Sequence, residues 1–330
     1  MQVLAISFGR EGGNCDILAK KALLGAKAAG CDVRFINTNN LIIERCINCT
    51  ACDKLFYSGA TDAKLCTRPD DFRFVRDAIM DSDGCIFVAP VYSVGVTGQY
   101  KNLLDRMGAS HDRAFMIADN EKRLAEGKPG VDPRLFKDRP VAFIPVGGAR
   151  TPGWTSLGLP MMHLLGVSNQ MVPVDYMEGY GMGDRVNPLL DKPYIDRVFQ
   201  LGKNVGEQVG LKPEEMTWRG EWEGVCPCCH GTTLTYRGEG TTVECTVCGS
   251  IGDLKIVDGK IKVEYPAEQI ARSRYKIGGL IEHHEEILNM INSHIRVMKE
   301  HGDELPALKA ELEGIVSDKP EKRTIIKKVD

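Results

Sequence analysis

The sequence lacks any apolar run approaching about 18 residues, so no helix of it is expected to span a membrane. It lacks a basic excess: Lys+Arg 42 stand against Asp+Glu 45, a net charge of -3. That balance offers no electrostatic handle on nucleic acid or on an anionic membrane. Residues 1–8 lack the basic n-region, long apolar stretch and small-residue cleavage site of a signal peptide. They read instead as a strand, and a cytoplasmic protein is expected. Internal repeats and low-complexity tracts are absent. No Gly-Lys-Ser/Thr follows a glycine-rich loop, which excludes a Walker motif, and the G-x-G-x-x-G dinucleotide fingerprint is missing. There is no Ser/His/Asp arrangement with a nucleophile elbow and no paired carboxylates at a recognisable spacing.

What is present is globular: 330 residues, 43% hydrophobic and 26% charged. Twelve cysteines stand out. In a reducing compartment, clustered cysteines point to metal or redox chemistry rather than to disulfides. Cys46, Cys49, Cys52 and Cys66 form one group; Cys226, Cys228, Cys229, Cys245 and Cys248 form another. Cys15, Cys31 and Cys85 stand alone and read as packed residues. Two groups in separate regions imply two metal centres with different jobs.

Over the first 210 or so residues, strand-like and helix-like segments alternate. Strands are expected at 3–7, 32–37, 84–89, 141–146 and 167–174, and helices at 16–29, 69–80, 98–107, 155–165 and 193–210. This alternation predicts an α/β fold: a doubly wound, parallel, five-stranded sheet covered by helices on both faces. Ligands of such sheets sit at the carboxyl ends of the strands. Two excursions break the rhythm, 45–67 with the first cysteine group and the charged stretch 108–139. Beyond Lys212-Pro213, short β segments surround the second cysteine group, and Asp258-Gly259 is a two-residue hairpin turn. From 266 to about 301 the chain reads as helix, and 317–330 as a charged, frayed end. The expected parts are therefore 1–212, 213–265 and 266–330.

Three loops at strand ends share a chemistry. The first runs from Ser7 through Arg10, Gly13, Asn14 and Cys15 into a helix. Backbone N–H groups at a helix start, small polar side chains and an Arg make a phosphate cradle, the alternative being a plain polar loop. The second is Pro90, Val91, Tyr92, Ser93 and Gly95, followed by Lys101, Asp105 and Arg106. The third holds Gly147, Gly148, Arg150 and Gly153. Glycine and small residues let backbone approach a flat ring.

Together these segments resemble the NADPH-dependent FMN reductase branch of the flavodoxin-like fold. That family has a Ser-x-x-Arg…Gly-Asn-Thr loop, a Pro-x-Tyr…Lys-x-x-x-Asp-Arg segment and a Gly-Gly loop after the fourth strand. The resemblance covers about residues 1–210. It implies FMN, with its phosphate on Ser7, Arg10, Gly13, Asn14 and Cys15. Its ring would lie between Pro90–Gly95 and the loop of Gly147, Gly148, Arg150 and Gly153. Cys15 stands where the family has Thr or Ser, which removes one hydroxyl donor.

Cys46-x₂-Cys49-x₂-Cys52 lets a loop wrap one iron–sulfur cube, and soft thiolates select zinc or iron–sulfur. The spacing resembles that of the iron-sulfur flavoproteins, a subgroup of the same family. There the fourth cysteine follows within a few residues, whereas here Cys66 comes 14 positions after Cys52. A [4Fe–4S] cluster on Cys46, Cys49, Cys52 and Cys66 is expected, against a thiol-bearing loop that only covers the flavin. Cys226-x₂-Cys229-x₁₅-Cys245-x₂-Cys248 is the spacing of a zinc ribbon or a rubredoxin-like site. Structural zinc is expected there, and iron in the same thiolates is the one-electron alternative. Cys228 and His230 read as bystanders.

The weaker signals take plainer readings. Gly179–Asp184 is expected as a flexible loop near the flavin edge, and Gly202, Gly206 and Gly210 as close packing of a helix on the sheet. Ile277, Ile281, His284, Leu288, Ile291, Ile295 and Met298 form a narrow heptad seam expected to join a homo-oligomer, the alternative being a helix that lies on its own flavin domain. The expected function is that of an iron-sulfur flavoprotein, passing electrons between NAD(P)H or a redox protein, FMN and the cluster. Two other readings stand beside it. One is reduction of a small organic acceptor (a quinone, nitro compound or activated alkene), with residues 108–139 shaping the pocket. The other is service as a redox subunit of a larger assembly.

Overall fold

Near-continuous apolar runs buried on both faces are what a central parallel strand requires. β1 (Gln2–Ser7), β3 (Gly84–Tyr92) and β5 (Pro140–Val146) have this character, with Leu4, Phe87 and Phe143 fully buried. The computed structural model describes residues 1–52, 66–108, 110–184, 187–238 and 240–318. With β2 (Asp32–Asn37) and β6 (Val172–Tyr176), these strands form one parallel sheet in the order β2-β1-β3-β5-β6. A two-residue strand, β4 (Gly95–Val96), turns back antiparallel on the end of β3. In the register, Val3 is opposite Val33 on one side and Gly84 on the other, which levels the carboxyl ends of the central strands.

One sheet face packs on α1 (Asn14–Ala28) and α6 (Lys192–Gly206). Val3, Ala5, Val88 and Ile144 meet Leu18, Ala22, Val198 and Leu201 there. α2 (Phe72–Asp81), α3 (Gly98–Leu104), α4 (Arg113–Ala125) and α5 (Gly158–Ser168) complete this part of the chain. Tyr100 of α3 sets its ring edge-on to Phe87 and donates its hydroxyl to the Met162 carbonyl at 2.6 Å.

Three expectations are corrected. The strand placed at 167–174 begins only at Val172, because α5 runs to Ser168 and Gln170 turns the chain with φ 49°. The stretch 108–139 contains α4, whose start is capped by the Asp112 carboxylate accepting the N–H groups of Ala114 and Phe115. Charge on its buried side as well as its outer one hid it: beyond Ala114, Phe115 and Met116 the buried positions are Asp119 and Arg123, an ion pair at 2.7 Å. The glycines of α6 face a helix rather than the sheet. A Cβ on Gly202 would fall 1.7 Å from the Ala22 carbonyl oxygen, and one on Gly25 would fall 1.9 Å from that of Phe199. α1 and α6 thus touch backbone to backbone.

The second cysteine group sits in a four-stranded antiparallel sheet ordered β10-β9-β8-β7. Its strands are β7 (Leu234–Tyr236), β8 (Thr242–Cys245), β9 (Ile251–Val257) and β10 (Lys260–Glu264). Asp258 and Gly259 turn the last hairpin with φ 52° and 71°, as a type I′ turn demands. The ribbon is fastened to the α/β layer. Tyr275 donates its hydroxyl to the His163 carbonyl at 2.7 Å, Gln170 donates to Arg274 O at 3.1 Å, and Tyr176 donates to His230 O at 3.2 Å. Fully buried His163 is neutral, since burial lowers its pKa to about 3.

The C-terminal helix is interrupted at residues 272–276, giving α7 (Ala267–Ala271) and α8 (Ile277–His301), then α9 (Leu305–Ala310). Residues Met1–Glu282 form one compact unit, and a second begins at His283. The frayed end expected at 317–330 lies outside the described residues from 319 onward.

Candidate functional site

The loop after β1 is shaped by its own backbone and by two side chains that sequence reasoning passed over. Asp16, in the first turn of α1 and 1% exposed, accepts the Gly12 N–H at 2.8 Å and the Asn37 amide at 2.5 Å. The same amide donates to Gly9 O at 3.0 Å. Ser7 Oγ accepts the Gly9 N–H at 3.4 Å, and Gly12 takes the left-handed φ of 67°. A Cβ on Gly9 would lie 2.8 Å from that of Cys15. The first N–H groups of α1, those of Asn14, Cys15 and Asp16, have no acceptor within the helix, and they point out of its positive end. Arg10 is exposed beside them. The cradle therefore fits an anion. The Cys15 thiol is turned into the core, where burial pushes its pKa up to about 12, with Asp16 adding to the shift. Cys15 can offer its backbone N–H to an anion and no side-chain donor.

The second loop is a tight hairpin at the end of β3. Tyr92 pairs with Gly95, while Ser93 and Val94 adopt φ of 49° and 73°. A β-branched residue in that region is strained, and such strain collects at ligand-binding turns. Thr97 N–H closes the hairpin onto Pro90 O at 2.9 Å. Tyr92 is left 64% exposed at the carboxyl edge.

The third loop is locked from two sides. A Cβ on Gly147 would come within 2.2 Å of Thr155 Cγ2. Gly147 donates to Gly179 O at 2.8 Å, Gly179 to Pro145 O at 2.8 Å, Gly181 to Ala149 O at 2.7 Å and Gly183 to Gly148 O at 3.2 Å. The loop 179–184, expected to be flexible, is zipped onto the Gly-Gly loop along its length, and Arg150 pairs with Asp184 at its tip. Gly153 lies in the short turn Pro152–Trp154, where Trp154 is 68% exposed. Pro90, Val91, Tyr92, Ser93 and Gly95 thus face the same sheet edge as Gly147, Gly148, Arg150 and Gly153, on neighbouring strands β3 and β5. This is a glycine-lined floor with exposed rings at its rim, which suits a flat heterocycle.

Of the motif Lys101, Asp105 and Arg106, the first two pair with each other on the surface. Arg106 has another task. It is buried over the Phe72 ring, donates to Asp70 at 2.6 and 2.9 Å and donates to Glu44 O at 3.1 Å. Burial raises the Asp70 carboxyl, but the hydrogen bonds from Arg106 and from the N–H groups of Glu44 and Phe72 outweigh it, and its pKa is lowered overall. Asn102 holds Ile43 O at 2.8 Å and Asp71 holds the Ile42 N–H at 2.7 Å. The first cysteine excursion therefore has a clasped neck, with Arg106 as its pin.

Beyond that neck, Cys46 and Cys49 are exposed, and Cys52 and Cys66 half-buried. Among the described residues, these four are not drawn together as ligands of a single ion. Their chemistry, four soft thiolates, still suits an iron–sulfur cube, which takes each thiolate on a separate iron.

Cys226, Cys229, Cys245 and Cys248 are drawn together. Their sulfurs lie within 4.8 Å of one another, and all four residues are buried. Two knuckles build the site. His230 N–H bonds Cys226 O and Gly249 N–H bonds Cys245 O, each at 2.9 Å. His230 and Gly249 both turn left-handed, with φ 57° and 76°. Four cysteine sulfurs in so small a volume could hold one tetrahedral metal ion. Cys228 packs against this cluster and donates to Ile270 O at 3.8 Å, but neither it nor His230 is among the four gathered ligands. Among the described residues, no helix is long and apolar enough to cross a membrane.

Comparison with known proteins agrees with this geometry. Residues 1–176 match the family model of NADPH-dependent FMN reductase. A flavone synthase of Aspergillus candidus is 30% identical over 293 residues, covering 87% of this chain and 88% of its own. An iron-sulfur flavoprotein of Methanocaldococcus jannaschii is 29% identical over 174 residues, 53% of this chain and 75% of its own. Among solved structures, a flavone reductase superposes with a TM-score of 0.81 at 25% identity, over 98% of this chain and 100% of that one. A flavodoxin-like sheet, a flavin cradle and a matching family model over its first half make the chain a flavin-dependent oxidoreductase that belongs to the NADPH-dependent FMN reductase family.

Proposed function

We propose that the protein is an NAD(P)H-dependent FMN oxidoreductase acting on the activated carbon–carbon double bond of a flat aromatic enone. The observation that carries this is full-length likeness: relatives named for forming and for reducing a flavone span the ribbon as well as the α/β layer. A flavone presents one alkene conjugated to a ketone, and both named activities concern that type of bond. Bound FMN would supply two-electron hydride exchange. The protein's share is binding and orientation. The N–H groups of Asn14, Cys15 and Asp16, with Ser7 and Arg10, would hold the phosphate. Gly147 and Gly148 would floor the ring opposite Tyr92 and Ser93. The net reaction balances as enone plus NAD(P)H plus a proton giving the dihydro-ketone and NAD(P)⁺.

The test is anaerobic incubation of the flavin-loaded protein with NADPH and a flavone, followed by mass spectrometry. Gain of two hydrogens by the flavone, matched by NADPH consumed, is expected. NADPH oxidation without change in any flavone sinks the enone reading.

A second reading, electron transfer through a [4Fe–4S] cluster on Cys46, Cys49, Cys52 and Cys66, is supported by the C-x₂-C-x₂-C spacing and the iron-sulfur flavoprotein relative. Acid-labile sulfide in anaerobically purified protein decides it. Zinc on Cys226, Cys229, Cys245 and Cys248 fits a structural staple, since a ribbon of this size has little core of its own. The seam of α8 fits pairing with a second copy: Ile281, Leu288, Ile295 and Met298 are all at least 40% exposed.

A further inference from the structure

Five aromatic rings and two carboxylates line a cavity of about 280 Å³ at the outer edge of β6: Tyr176, Tyr180, Tyr194, Trp218 and Trp222, with Glu178 and Glu221. Among the described residues, no Lys or Arg lines it. Glu178 is half-buried, and desolvation raises its carboxyl above the ordinary range. Among the described residues it has no ion-pair or hydrogen-bond partner. A carboxylate desolvated between rings is costly unless a donor reaches it, so the cavity is built for a ligand that brings one. The second acid of the lining, Glu221, already pairs with Arg197 at 3.2 Å.

The position of this cavity is as informative as its lining. Glu178 and Tyr180 flank Gly179, which is hydrogen-bonded to both Gly147 and Pro145. The cavity wall and the floor of the flavin cradle are therefore consecutive residues of one zipped pair of loops.

The opposite wall is Trp218, Glu221 and Trp222, just ahead of the first ribbon cysteine, and the ribbon backs it. His230, directly after Cys229, stacks on Trp218 with centroids 4.1 Å apart and planes at 13°. Trp218 donates its indole N–H to Trp222 O at 2.9 Å, and Tyr176 leans on Trp218 at 5.1 Å while donating to His230 O. Two of the five rings, Trp218 and Tyr176, thus lean on the knuckle residue His230, and Trp218 in turn holds the Trp222 carbonyl.

We propose that this cavity seats a hydroxylated aromatic ring of the acceptor, that Glu178 accepts its phenolic O–H, and that the four-cysteine knuckle is the positioning device for the site. The proposal rests on the enone reading and names the substrate class within it. Ring faces favour a stacked flat ligand, and an acceptor-only carboxylate selects a ligand with an O–H. The metal then has a job beyond stapling: without it, His230 has no fixed place and Trp218 loses the surface it stacks on.

The experiment uses the full-length protein loaded with flavin and metal. Binding of apigenin, which is hydroxylated, and of unsubstituted flavone is measured by calorimetry and by quenching of tryptophan fluorescence. Flavin and metal contents certify the fold of each variant. E178Q should weaken apigenin by about tenfold or more, as expected for a lost charged hydrogen bond, while unsubstituted flavone binds within about twofold of wild type. W222A should weaken both ligands. Partial metal removal by a chelator should lower apigenin affinity in proportion to metal lost, with flavin content retained. Equal apigenin affinity in wild type, E178Q and W222A overturns the site. Affinity indifferent to metal content overturns the positioning role. Tight binding of tetramethylammonium abolished in E178Q overturns the phenolic assignment in favour of a cation box. The enone reading fails separately: apigenin bound in the E178-dependent manner but never converted would sink that reading and leave the binding site standing.

Discussion

At residue scale, the sharpest constraints are atoms that are missing. Gly147 has no room for a methyl group, because Thr155 Cγ2 fills the place its Cβ would take, at 2.2 Å. Gly147→Ala should cost about 1–3 kcal/mol of overpacking and lower the flavin retained through purification. Adding Thr155→Ser, which removes that methyl, should recover much of the flavin absorbance; failure to recover it puts the role of Gly147 elsewhere. Arg106 and Asp70 are the opposite case, two charges held where water barely reaches, with side chains 1% and 3% exposed. Arg106→Met leaves Asp70 buried without its partner and should cost about 3–5 kcal/mol in urea unfolding at neutral pH. The pH dependence has a definite sign. The folded pKa of Asp70 lies below its unfolded value, about 3.9. Its stabilisation is full above that pH and fades as pH falls through the folded value. The gap between wild type and Arg106→Met should therefore narrow below about pH 4; a gap constant across that range removes Asp70 as the cause.

At the scale of elements, α8 and the ribbon carry the testable consequences. α8 has 25 residues, and its apolar positions recur at heptad steps with His284 as the one polar member. Charge placed in such a seam opposes pairing. Leu288→Glu with Ile295→Glu should lower the mass found by light scattering, with the flavin spectrum unaltered; an unchanged mass means the helix does not join copies. In the ribbon, the four sulfurs define a site for one ion. Elemental analysis should find one zinc per chain outside any sulfide-bearing cluster. One iron with rubredoxin-like absorption reverses the choice of metal and makes the ribbon an electron carrier. Cys248→Ser should lower both metal content and the melting temperature, because the staple and the fold of the ribbon are linked.

At the scale of the whole molecule, legibility followed periodicity. β1, β3 and β5 were readable because strands buried on both faces must be apolar throughout, and the strand order then placed the three loops at one edge. The four-thiolate site was readable because its ligand spacing is set by local knuckles. α4 was not, since its buried side carries the ion-paired Asp119 and Arg123 and so shows no apolar period. The zipper of 179–184 was not, because it consists of backbone bonds, which leave no trace in side-chain pattern. Arg106 was noticed as part of a motif, yet its partner Asp70 is 36 residues away and its carbonyl acceptor on Glu44 62 away. The aromatic cavity escaped for the same reason: Tyr176 and Trp222 meet only after the ribbon docks.

The backbone contact of α1 with α6 bears on the timing of cofactor capture during synthesis. α1 presents the N–H groups proposed to hold the phosphate, but Gly25 fits only against Phe199, and Ala22 only against Gly202. Until residues near 206 have emerged from the ribosome, α1 has the strands β1 and β3 to pack on but lacks the helix it meets backbone to backbone, and contacts of such sequence separation form late. Nascent chains arrested before Val198 should not retain flavin, while chains released from the tunnel past Gly210 should. On this account retention of the cofactor waits for the last helix of the α/β layer, so loading follows the completion of that layer rather than of the loop after β1 alone.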